Sequence, residues 1–155
     1  MDDINYRKRR TIRTVVAAVA LVLAIVPPVA SAGEKPAATL YKNPQCDCCE
    51  EYATYLRQNG YEVTVKPTHD LSLIKRKHGV PANFEGCHTT LIDGYVVEGH
   101  VPVQTLERLL SERPAIKGIS LPGMPQGSPG MTGQKTEPFT IYELSGKTPR
   151  IYAVE

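Results

Sequence analysis

Three of the chain's four cysteines fall within four residues, Cys46-Asp47-Cys48-Cys49, and the fourth stands in Cys87-His88. Thiolates are both nucleophiles and ligands for soft metals, so this sulfur can serve two chemistries. The Cys46-x-x-Cys49 spacing is that of a redox dithiol. Cys48 adds a third sulfur inside it, which offers competing disulfides and favours chelation, while a bond between adjacent Cys48 and Cys49 forms only with strain. Cys87 and His88 supply a further thiolate and an imidazole. Thiolates suit Cu(I), zinc and iron–sulfur centres, and imidazole suits copper, zinc and iron. His100 is a further candidate ligand. Met124 and Met131 each follow a glycine in a stretch with no helical face to belong to. Their thioethers are soft donors that bind Cu(I) but hardly zinc. His69 and His78 flank a charged stretch and read as solvated.

The elements that must position these residues are legible in order. Thr39-Leu40-Tyr41-Lys42 reads as a strand ended by Asn43-Pro44-Gln45. Residues 47–58 form a helix: Cys49, Ala53 and Leu56 recur at helical spacing, and Asn59-Gly60 stops it. The cysteines therefore sit at a strand-to-helix junction, where the helix dipole and unpaired N–H groups favour thiolates. Residues 61–65 alternate as a second strand. Residues 68–78 form a short helix with Leu71, Leu73 and Ile74 inward and a stop at Gly79. Thr89-Thr90-Leu91-Ile92, Asp93-Gly94 and Tyr95-Val96-Val97-Glu98 read as a hairpin. Gly99-His100-Val101 open a last helix with Pro102 in its first turn and Val103, Leu106, Leu109 and Leu110 on its apolar face. The order β-α-β-α-β-β-α over residues 38–113 defines an α/β class and resembles a thioredoxin-like domain. In that fold a cis-proline precedes the third strand and faces the cysteine motif; here the position falls at His88, with Cys87 beside it.

Residues 114–135 follow as a Gly/Pro-rich loop without helix or strand period, carrying both methionines. Residues 137–155 read as an extra β-hairpin that extends or caps the sheet. The whole of 33–155 forms one domain on this reading.

Residues 1–32 read as a cleaved signal peptide. Arg7, Lys8, Arg9, Arg10 and Arg13 form a basic start, Val15 to Val26 an apolar run, and Ala30-Ser31-Ala32 a small-residue cleavage site. Twelve apolar residues followed by Pro27-Pro28 fall short of the ~20 that span a bilayer, so no membrane span is expected after cleavage. The Arg9-Arg10 pair leaves the export route open between the general and twin-arginine pathways. The whole chain carries a formal charge of +2; without residues 1–32 it carries −1. With no Trp, two Phe and no long basic run, nothing points to a nucleic-acid partner. Export places the cysteines in an oxidising compartment, where a metal, a partner or the fold must keep them from indiscriminate oxidation.

Tyr41-Lys42-Asn43-Pro44, Cys46-Asp47-Cys48-Cys49, Cys87-His88-Thr89, Val97-Glu98-Gly99-His100-Val101-Pro102, Pro122-Gly123-Met124-Pro125 and Gly127-Ser128-Pro129-Gly130-Met131 together resemble the CopG-like family of periplasmic metal-binding proteins, associated with copper resistance in Gram-negative bacteria. The resemblance spans nearly all of residues 33–155. It implies a thioredoxin-like fold and copper held by Cys46, Cys48, Cys49, Cys87 and His88, with His100, Met124 and Met131 as further candidates. Cu(I) is the favoured metal, and the donor set also suits zinc. The implied function is copper resistance or homeostasis in the periplasm, by sequestration, delivery or redox conversion, with copper ions and other copper-handling proteins as partners. The alternative is a periplasmic thiol–disulfide oxidoreductase using Cys46 and Cys49; whether the chain is an enzyme stays open. An iron–sulfur centre fits an oxidising compartment least.

Overall fold

The computed structural model describes residues 34–145 and 148–155. The expected signal peptide lies outside these residues, as do Gly146 and Lys147 of the expected second hairpin.

The first strand, β1 (Ala38–Lys42), leads through Asn43-Pro44-Gln45 into α1 (Asp47–Gln58). Helix α1 has the bounds its periodicity predicts and turns Cys49, Tyr52, Ala53 and Leu56 inward. Next come β2 (Val63–Pro67), α2 (Leu71–Lys77), a 3-10 turn at Ala82–Phe84, β3 (His88–Ile92) and β4 (Tyr95–Gly99). Asp93 and Gly94 join β3 to β4 with φ of 48° and 84°, as a tight antiparallel hairpin requires. Helix α3 (Val103–Glu112) and strands β5 (Gly118–Leu121), β6 (Thr140–Glu143) and β7 (Ile151–Val154) complete the domain.

The seven strands form one sheet in the order β2-β1-β3-β4-β5-β6-β7. β1 runs parallel to β2 and antiparallel to β3, and β4 runs parallel to β5 through the α3 crossover. Period-two alternation separates the two faces. Leu40, Ile92, Val97 and Ile119 face Tyr52, Ala53, Leu56, Leu106 and Leu109 in the main core. Val96 faces the other way, with Val80, Phe84 and Leu144 in a smaller cluster. Among the described residues, no helix is long and apolar enough to cross a membrane.

Four expectations are corrected. Residues 118–121 are not loop: they form β5, buried along its length against β4. The second strand lies two residues later than its alternation suggested. Gly99-His100-Val101 precede α3 rather than opening it, Gly99 ending β4 and Pro102 capping the helix. In α2, Leu73 is 55% exposed, while Lys75 is buried at 3%. A lysine displaces a leucine from the interior because Glu98 lies beneath it. The C-terminal hairpin extends the sheet as expected, β6 pairing with β5 and β7 with β6.

Candidate metal centre

The cysteine motif is fixed by the way the chain leaves β1. The Cys46 N–H donates to the Asn43 carbonyl at 3.0 Å, closing a turn around Pro44. Buried Lys42 donates to the Pro44 and Cys46 carbonyls at 3.2 and 3.1 Å and pairs with Glu50 in the first turn of α1. These contacts place Cys46 immediately before the helix, Cys48 on its partly exposed side, and Cys49 fully buried beneath it.

Cys46 and Cys49 form a disulfide, with Cys48 and Cys87 as free thiols. The Cys48 Sγ lies 3.5 Å from Cys46 Sγ and 3.9 Å from Cys87 Sγ. Cys87, immediately before β3, is thus brought onto the motif from 39 residues away. On its other side, Cys87 Sγ lies 3.3 Å from His88 Nδ1 and 3.0 Å from His100 Nε2. Two sets of donor atoms result, each set lying within 4.8 Å of one another: the four cysteine sulfurs, and Cys87 with His88 and His100. Cys87 belongs to both.

Both imidazoles are fully buried. His100 Nδ1 lies 2.6 Å from the Pro129 carbonyl, an acceptor only, so this nitrogen carries the proton and Nε2 presents its lone pair to Cys87. His88 stacks on Tyr52 with ring centroids 4.6 Å apart and meets the His100 ring edge-on at 4.9 Å. Its Nε2 has no hydrogen-bond partner, which is unusual for a buried polar atom. Desolvation, and for His88 also the His100 charge, holds both histidines below the ordinary range, so they are neutral at pH 7 and competent as ligands. Burial, reinforced by Cys48, pushes the Cys87 thiol up to about 12. A cation that binds there must displace the Cys87 proton.

Tyr52 holds the two halves together. It is fully buried, and its phenol donates to the Val101 carbonyl at 2.8 Å, beside His100. Its position one turn after Cys49 was visible in the sequence, yet a tyrosine on a core face carries no signal that it supports a site. From outside, Pro129 and Gly130 clasp the same place. Gly130 has φ +80°, and a Cβ there would stand 2.6 Å from the Tyr52 nitrogen and 3.1 Å from the Cys48 carbonyl oxygen. Only glycine lets this strap rest on α1. Next to it, Met131 is half-buried, while Met124 is 41% exposed. His69 is exposed and His78 half-buried, and neither belongs to a donor set, although His69 lines the cavity beside Cys46 and Cys87. A cavity of about 350 Å³ opens beside the sulfurs, lined by Asn43, Cys46, Ser72, Lys75 and Cys87 among others.

Fold and site together define an α/β protein that presents a cysteine–histidine cluster at one end of its sheet. Two solved structures, titled copper resistance protein copG Form 2 and Form 1, are 35% and 36% identical to it. Each match covers 79% of this chain and 99% or 98% of the other, with TM-scores of 0.73 and 0.71. The chain belongs to this CopG family. Residues 84–131 also match a family described as a protein of unknown function, DUF411. That segment holds Cys87, His88 and His100 but not the Cys46-Asp47-Cys48-Cys49 motif. No curated protein sequence matches the chain.

Proposed function

We propose that the protein holds copper as Cu(I) at this cluster and limits copper toxicity by sequestering, delivering or redox-converting it. The observation that carries the reading is that Cys87 is shared between a four-sulfur set and a sulfur–imidazole set. The donors are soft sulfurs and neutral imidazoles, which matches Cu(I) and also tolerates zinc. His88 turns Nδ1 toward the shared Cys87 sulfur at 3.3 Å, and its neutral ring can place a lone pair there. The relatives are named for copper resistance, which agrees with the donor chemistry.

Cys46, Cys48, Cys49, Cys87, His88 and His100 would hold the metal. The Cys46–Cys49 disulfide must first be reduced by an external dithiol, which gives up two electrons and two protons and becomes a disulfide itself, leaving two thiols that ionise as copper binds. Adjacent thiolates can then bridge more than one ion. The Pro129 carbonyl keeps His100 in the tautomer that leaves Nε2 free. Met124 and Met131 on the strap would offer thioethers to an arriving Cu(I). On this reading the scaffold is thioredoxin-like, and residues 1–32 deliver it to the periplasm, where copper-handling proteins are its partners.

The test is anaerobic loading of the reduced protein with Cu(I), followed by competition with a moderate chelator. Retained copper that falls sharply in a Cys46→Ser, Cys49→Ser variant is expected. A protein that retains no copper, or a double variant that retains it in full, refutes the reading. The Cys46–Cys49 disulfide supports a second reading, thiol–disulfide exchange at the same pair. Insulin reduction at a thioredoxin-like rate would favour it over copper holding.

A further inference from the structure

The two donor sets sit on one face of the sheet, with Tyr52. On the face shared with Val96 and Leu91 lies a buried ion pair that the copper reading does not use, and its Lys75 also reaches the cavity beside the sulfurs. Glu98 is fully buried and accepts from three donors: the Gly86 N–H at 2.7 Å, the Thr89 hydroxyl at 2.8 Å and the Lys75 ammonium. Lys75 also donates to Thr89 Oγ1 at 3.2 Å. Gly86 immediately precedes Cys87, and Thr89 immediately follows His88. One carboxylate therefore grips the chain on both sides of Cys87-His88.

The Gly86 turn that Glu98 holds also touches the turn that carries the other histidine. Gly86 packs so closely on Gly99 that a Cβ at Gly86 would stand 2.8 Å from the Gly99 Cα. Gly99 precedes His100, so the contact joins the two turns whose next residues meet at 3.0 Å, Cys87 Sγ against His100 Nε2. Apolar residues of similar volume are commonly as stable as a buried ion pair, or more so. The pair's distinctive contribution is geometric: a carboxylate can hold three donors at fixed places, and an apolar side chain holds none.

We propose that Glu98, neutralised by Lys75, is the positioning residue that holds Cys87, His88 and His100 against the Cys46-Asp47-Cys48-Cys49 motif. Its importance for copper rests on the reading above; the positioning itself can be measured without metal. In a Cys46→Ser, Cys49→Ser background, Cys48 and Cys87 are the only thiols, with sulfurs 3.9 Å apart. Diamide oxidises such a pair: two thiols give up two electrons and two protons to the diazene, forming one disulfide and a hydrazine. The rate of that closure reports how well Cys87 is held.

A Lys75→Met, Glu98→Leu pair fills the space but releases the Gly86 N–H and the Thr89 hydroxyl. It is expected to keep a native-like unfolding midpoint and to close the disulfide about tenfold more slowly. A Lys75→Met, Glu98→Gln pair keeps an oxygen for Gly86 and an amide for Thr89, and is expected to recover most of the rate. Thr89→Val removes only the grip after His88 and serves if the apolar pair does not fold; it too is expected to slow closure. An apolar pair or a Thr89→Val variant that closes at the native rate overturns the proposal. So does a glutamine pair as slow as the apolar one. Because no metal enters the readout, the result stands even if the copper-retention test fails.

Discussion

Replacing Gly130 by alanine separates the strap's contribution to the site from its contribution to stability. The new Cβ would lie 2.6 Å from the Tyr52 nitrogen, 3.0 Å from its Cα and 3.1 Å from the Cys48 carbonyl oxygen. All three are backbone atoms of α1, so no side chain can rotate away. Holding alanine at φ +80° costs about 1–2 kcal/mol. The clash adds about 1–3 kcal/mol if the strap stays seated. Lifting the strap instead forfeits the His100–Pro129 hydrogen bond, about 1 kcal/mol, and some packing. Lifting is the cheaper outcome, so global stability should fall by only ~1–2 kcal/mol in urea unfolding. Cu(I) retention should fall further, about 10–100-fold, because His100 loses the partner that fixes its tautomer. Gly123→Ala is the control. It has φ +78° but nothing within 4 Å of a new Cβ, so it carries backbone strain alone and should leave copper retention unchanged. A Gly130→Ala protein with native copper retention, or a Gly123→Ala protein that loses it equally, refutes this account of the strap.

Other consequences can be checked on the metal-free protein. Tyr52→Phe removes the donor to the buried Val101 carbonyl and should cost about 1–3 kcal/mol in urea unfolding, whereas an unchanged midpoint would mean that this bond does not tie α1 to the His100 turn. Stability should also fall with acid. His88 and His100 stay neutral in the fold below the ordinary value of 6.5, while the unfolded chain takes up protons there. The unfolded state thus binds more protons as pH drops through about 6.5, and stability falls by about 1.4 kcal/mol per pH unit for each histidine until its folded value is reached. Urea unfolding at pH 7.5, 6.0 and 5.0 checks this, and a flat profile would contradict the buried neutral histidines.

Much of this arrangement is legible in the sequence, and what is not shares one physical cause. Helix α1 announced itself because Cys49, Ala53 and Leu56 repeat on a single buried face, and the β3–β4 hairpin because Asp93-Gly94 permits only a tight turn. β5 was hidden: all four of its residues are buried, so alternation vanishes, and it lies between Pro114 and Pro122 in a stretch dominated by turn residues. Its parallel partner β4 is reached only through α3, which local pattern cannot show. Charge is the strongest exposure signal in a sequence, and at Lys75 only the pairing with Glu98 across the fold overrides it. The same non-locality applies to the centre. Residue types named the donors, but that Cys87 touches both Cys48 and His100 depends on β3 lying beside β1 and on the turn after β4.

Copper X-ray absorption on the reduced, Cu(I)-loaded protein tests the central claim most directly, since it counts sulfur against nitrogen around the metal. Sulfur should dominate the first shell, with an imidazole contribution that shrinks in a His100→Gln variant. A first shell of nitrogen and oxygen alone, or one identical in a Cys46→Ser, Cys49→Ser variant, would contradict a copper site built on these cysteines.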